Sequence, residues 1–121
     1  RGGNLWIMSL AIRIRDKIAG RIREAAQNAK NVGQLPFELL PQFALEVPRE
    51  KNHGDLAVNL AMLLARPERK SPRQIAEILV NHFDSADTWV ERIEIAGPGF
   101  INFFLDPAWV RGVRRGKYRP G

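Results

Sequence analysis

The chain has no cysteine and only two histidines in 121 residues. The missing cysteines exclude a disulfide scaffold, a thiolate zinc site and a cysteine nucleophile. Two histidines leave too few ligands for a multi-histidine metal site. No apolar run approaches the ~18 residues that a membrane span needs. The opening apolar positions are soon interrupted by Arg13, Arg15, Asp16 and Lys17, so no signal peptide is evident. The three serines, Ser9, Ser71 and Ser85, lie in no nucleophile elbow. The expectation is a single compact domain, soluble and cytoplasmic, without membrane or metal partners.

A hydrophobic fraction of 45% argues against wholesale disorder. The formal net charge of +6 is unevenly spread: +5 over residues 1–30, −4 over 31–110 and +5 over 111–121. Basic ends suit phosphate, and they equally suit a solvated helix face followed by a frayed tail.

From Met8 to Lys30, Leu10, Ile14, Ile18, Ile22 and Ala26 form a helical stripe, with Ser9 as a cap and Arg13, Lys17, Arg21 and Arg23 on the other faces. Phe43, Leu45 and Val47 alternate with polar or small neighbours and predict a strand ended by Pro48. Asp55 is read as the cap of a second helix, Leu56 to Arg66, ended by Pro67. Ser71-Pro72-Arg73-Gln74 reads as a capping box opening a third helix to about Phe83. Val90–Ile95 and Phe100–Leu105 are predicted strands joined through Gly97-Pro98-Gly99, and Asp106-Pro107 opens a last helical turn through Trp109 and Val113. The fold class is α+β: a small antiparallel sheet of three to four strands packed with about four helices.

The most informative segment is Phe100-Ile101-Asn102-Phe103-Phe104-Leu105. Strand alternation puts Ile101, Phe103 and Leu105 on one apolar face and Phe100, Asn102 and Phe104 on the other. An aromatic two positions from an amide can stack on an unpaired base and hydrogen-bond its edge. The same residues also suit a core phenylalanine and an asparagine serving a nearby loop. His53 and Asp55 read as a turn rather than as a catalytic pair, since no serine partner is positioned for them. Gly97-Pro98-Gly99 lacks the Lys-Ser/Thr of a phosphate loop.

Two blocks carry a resemblance. His53-Gly54-Asp55-Leu56-Ala57-Val58-Asn59-Leu60-Ala61 and Ala96-Gly97-Pro98-Gly99-Phe100-Ile101-Asn102-Phe103 occur in that order, with Val47-Pro48, Leu64-Ala65, Pro72-Arg73-Gln74-Ile75-Ala76 and Ile93-Glu94-Ile95 around them. Together they resemble the N-terminal additional, tRNA-binding domain of arginyl-tRNA synthetase over residues 8–109. The resemblance implies a domain that docks on the tRNA elbow and reads a D-loop base, with Phe100 and Asn102 as the reading residues. It implies the catalytic domain of the parent synthetase as a second partner, and ATP as a substrate of that parent only. HIGH-like and KMSKS-like motifs are missing from the sequence, so this chain is expected to be a fragment with no catalytic or cofactor-binding residue of its own. Residues 1–7 and 110–121 are expected to be flexible ends. A free-standing, nonspecific RNA-binding module and a structural interaction domain are the alternatives.

Overall fold

The computed structural model describes the backbone of residues 2–68 and 70–108, and the side chains of 10–65 and 70–108. Helix α1 spans Gly2–Asn31, and the expected stripe faces inward: Leu10, Ile14, Ile18, Ile22, Ala26 and Ala29 are all buried. Burying each isoleucine contributes about 1.5–3 kcal/mol, which more than offsets the roughly 1 kcal/mol lost at Gly20. The helix begins six residues before Met8, so Ser9 lies inside it and is not its cap. Once the stripe is anchored, each further residue adds one backbone bond for little cost, and the helix propagates backwards. Gly33, at φ +82°, ends the segment with its N–H bonded to the Lys30 carbonyl at 3.0 Å.

The second helical expectation is corrected. Leu56–Val58 is strand β1, and helix α2 covers only Leu60–Glu68, one residue past Pro67. Asp55 does not cap a helix. Its amide donates to the Phe103 carbonyl at 2.8 Å, and its carboxylate accepts from the Leu105 amide at 2.8 Å. The residue preceding α2 is Asn59, whose carbonyl accepts from Met62 and Leu63. Asp55 therefore stitches the entry of β1 to the strand beside it, which carries Phe103 and Leu105. Asp55→Ala is expected to lower stability by about 1 kcal/mol, the contribution of one exposed charge-assisted bond, read as a shift of the urea midpoint.

Helix α3, Pro72–His82, opens with the expected capping box. The Ser71 hydroxyl accepts from the Gln74 amide at 3.1 Å, and the Gln74 side chain accepts from the Ser71 amide at 3.2 Å. His82 reaches the Gln34 side chain at 2.7 Å and ties the end of α3 to the chain leaving α1.

Strands β2 (Val90–Ala96) and β3 (Phe100–Leu105) complete an antiparallel sheet of order β1-β3-β2. The strand expected over Phe43–Val47 is reduced to one bridge, Glu46 opposite Ala57. Leu45 is buried, but Val47 is 65% exposed, and Pro48 has no N–H to continue a ladder. The helices cover the sheet face that carries Leu56, Val58, Ile101 and Phe103, where the Phe103 ring meets Phe83 at 5.3 Å between centroids. Three α-helices and one three-stranded sheet make a small α+β domain among the described residues. The expected final turn through Trp109 and Val113, and the basic run Arg111–Arg119, lie outside them.

Candidate nucleic-acid interface

The other face of the sheet is not covered by helices, and the register arranges it. Residues directly opposite in an antiparallel pair share a face. Glu46 lies opposite Ala57, Ala57 opposite Asn102, and Asn102 opposite Glu94. One transverse row therefore runs carboxylate, methyl, amide, carboxylate. The small Ala57 leaves room above the row, and Phe100 stands two positions from Asn102 along β3 on the same face.

A cleft of about 560 Å³ opens there, between the segment Glu46–His53 and the turn at Ala96–Pro98, with Phe100 and Asn102 in its wall. Phe100 is 41% exposed, a large aromatic open to solvent. Asn102 is 4% exposed, yet its side-chain amide makes no hydrogen bond among the described residues. Among the described residues no fully buried side-chain nitrogen or oxygen lacks a partner, so the Asn102 amide keeps access to the cleft it lines. A buried polar group costs stability unless something hydrogen-bonds it. Asn102 thus offers both a donor and an acceptor to whatever enters. Phe104 shares the face but is not available: the Arg92 guanidinium lies 3.9 Å from its ring centroid, and Arg92 is in turn paired with Glu94.

The turn that presents Phe100 is held from behind. Gly97 (φ +55°) and Gly99 (φ +144°) adopt backbone conformations that suit glycine. Arg73 at the start of α3 donates to the Gly97 carbonyl at 2.8 Å, and Gly99 lies so close to Pro72 that a Cβ would sit 2.6 Å from the proline Cβ. Helix α3 therefore acts as a rigid stop behind the aromatic. Sequence reading did not assign Arg73 or Pro72 this part, because the contact joins residues far apart in the chain.

The cleft rim also carries Arg49 and His53. Arg49 is exposed and forms no ion pair among the described residues. His53 lies 3.9 Å from the Glu50 carboxylate, in a three-residue 3-10 turn over Lys51–His53. It has no serine beside it and faces the cleft as a rim residue. Much of the α1 basic face, by contrast, is engaged in the fold. Arg21 binds Glu24 at 3.3 Å, Asp84 at 3.1 Å and the Ala86 carbonyl at 3.3 Å, while Arg23 stacks over Phe43. Arg13 and Lys17 remain exposed and unpaired among the described residues. No described helix is long and apolar enough to cross a membrane.

Comparison with known proteins identifies the family of the chain. The family model described as arginyl tRNA synthetase N terminal domain matches residues 13–105. An arginine–tRNA ligase of Desulfitobacterium hafniense is 55% identical over 106 residues, which is 88% of this chain and 19% of that protein. Arginine–tRNA ligases of Desulforamulus reducens and Geobacillus thermodenitrificans are 49% and 45% identical, again over 88% of this chain and 19% and 18% of theirs. The chain thus spans about a fifth of the length of these curated relatives. With the family model covering most of its residues, the chain belongs to the family of arginyl-tRNA synthetase N-terminal domains.

Proposed function

We propose that this chain is the tRNA-docking part of an arginine–tRNA ligase, binding the tRNA elbow and reading one D-loop base with Phe100 and Asn102. The observation that carries the reading is the pairing, in the wall of one cleft, of a solvent-open aromatic with a buried amide that has no hydrogen-bond partner among the described residues. The base stacks on the Phe100 ring, its edge bonds the Asn102 amide, and Arg49 on the rim meets a flanking phosphate. ATP use and the joining of arginine to tRNA belong to the catalytic domain of the parent ligase, which is the second partner. This chain contributes position and selectivity, works in the cytoplasm, and needs no metal or cofactor.

Magnitudes set the division of labour. A stacked base contributes about 1–3 kcal/mol and a good base-edge contact about 1–3 kcal/mol of discrimination. Micromolar affinity needs about 8 kcal/mol, so phosphate contacts and the rest of the ligase supply the remainder.

The test is a titration of the chain with an arginine tRNA transcript and its D-loop base variants at two salt concentrations. Phe100→Ala is expected to weaken binding by about 1–3 kcal/mol, and Asn102→Ala to lower base discrimination by a similar amount. Neither is expected to unfold the domain, because Phe100 is exposed and removing the Asn102 side chain strands no hydrogen-bond partner among the described residues. Binding that ignores the loop base and only falls with salt would instead mark a nonspecific electrostatic module.

A further inference from the structure

The reading of a base by Phe100 and Asn102 leaves one neighbour in the same row without a role. Glu46 is exposed, lines the cleft, and forms no ion pair or hydrogen bond through its side chain among the described residues. A carboxylate beside a proposed phosphate-bearing ligand is a cost, since like charges repel. Its placement is nevertheless fixed by backbone geometry. The amide of Glu46 donates to the Ala57 carbonyl at 2.9 Å, and the Ala57 amide donates back at 2.8 Å, which sets Glu46 on the face of Ala57 and Asn102. The other carboxylate of the row, Glu94, is held by Arg92 and does not line the cleft. Glu46 is thus the free acceptor on that side of the Asn102 amide.

We propose, resting on the base-reading function above, that Glu46 is a specificity-determining residue and selects a base that carries an exocyclic amine. A carboxylate only accepts hydrogen bonds, whereas the Asn102 amide both donates and accepts. Together they offer a surplus of acceptors to the base edge. Adenine, cytosine and guanine each present an exocyclic amine that can donate to the carboxylate. Uracil presents carbonyl oxygens in its place, which face the carboxylate as acceptor against acceptor. An amine is therefore bound and a carbonyl turned away by the same group, so that part of the selectivity comes from repulsion. The Ala57 methyl between the two residues leaves the space in which such an edge would lie.

The experiment is a set of arginine tRNA transcripts in which each unpaired D-loop position in turn is A, C, G or U. These are titrated against the parent chain, Glu46→Gln, Glu46→Asp, Phe100→Ala and Asn102→Ala. The parent chain is expected to prefer an amine-bearing base over uracil by about tenfold at one position, within the range of a single base-edge contact. Glu46→Gln, which removes the charge and can donate as well as accept, is expected to bind all transcripts as well as or better than the parent while the preference falls to about twofold. Glu46→Asp keeps the charge, shortens the reach, and is expected to lose the preference without the general gain. A uniform gain across all four bases in Glu46→Gln, with the ratio intact, would show a bystander charge and overturn the proposal. A parent preference for uracil would overturn it too. If the preference disappears in Phe100→Ala and Asn102→Ala but persists in both Glu46 variants, base reading stands and the role of Glu46 falls. If the parent has no loop-base preference, both fall.

Discussion

Phe103→Ala is expected to destabilise the domain by about 3–5 kcal/mol, the range for emptying a buried aromatic site. Phe103 is 1% exposed and sits where β3 meets the helices, with its ring against Phe83. Its backbone also receives the Asp55 amide, so the residue joins three parts of the fold. The surroundings cannot readily close the gap, because Ile22, Leu79 and Ile101 line the space beside it from separate elements. A domain of this size has total stability of ~5–15 kcal/mol, so the variant is expected to be partly unfolded at 37 °C. Thermal unfolding followed by circular dichroism measures this. Three positions away on the same strand, Phe100→Ala should leave the melting temperature nearly unchanged. An equal loss in both would mean that Phe100 is a core residue and not a presented one.

Gly99→Ala is the second large effect. At φ +144° an L side chain is strained whatever space it has, at a cost of about 1–3 kcal/mol. The new methyl would also meet Pro72 at Cβ (2.6 Å), C (3.0 Å) and O (3.1 Å). Proline Cβ belongs to a ring and the other two atoms are backbone, so none can swing aside as a flexible side chain would. Overpacking adds about 1–3 kcal/mol, for a total of roughly 2–6 kcal/mol. The consequence reaches function, because relief requires the Gly97–Gly99 turn to move away from α3 and carry Phe100 with it. The variant is expected to lose the urea midpoint and tRNA affinity together, while Gly20→Ala, in open space on α1, should lose neither. Retention of full affinity in a destabilised Gly99→Ala would show that the turn does not position the aromatic.

The elements that sequence made legible are those whose pattern is one-sided. The α1 stripe turns its apolar residues to one face, the Ser71 box closes a defined pair of hydrogen bonds, and the alternation along β3 sends Ile101 and Phe103 inward; each lies where expected. Residues 56–64 were misread because Leu56, Val58, Leu60, Met62 and Leu64 are apolar on every side. A run buried all round fits a strand followed by a helix as well as it fits one helix. The change of period occurs at Asn59, an amide of the kind that precedes helices. Phe43–Val47 failed for the opposite reason. Its alternation is regular, but its partner strand is only three residues long, which leaves one bridge. At the candidate site, alternation along β3 was enough to put Phe100 and Asn102 on one face. Sequence could not show that Arg92 would cover Phe104, that Arg73 would hold the turn, or that Glu46 would join the row. Each of those depends on a long-range pairing.

In the proposed function a nucleotide enters the cleft whose wall carries Phe100 and Asn102. The most direct measurement is the NMR response of the 15N-labelled chain to an arginine tRNA transcript. Expected is a strong, saturable shift of the Asn102 side-chain amide, which has no hydrogen-bond partner among the described residues, together with the Phe100 backbone amide, and loss of that shift on a D-loop base change. Shifts confined to the exposed basic face around Arg13 and Lys17, with the Asn102 side chain unmoved, would contradict it.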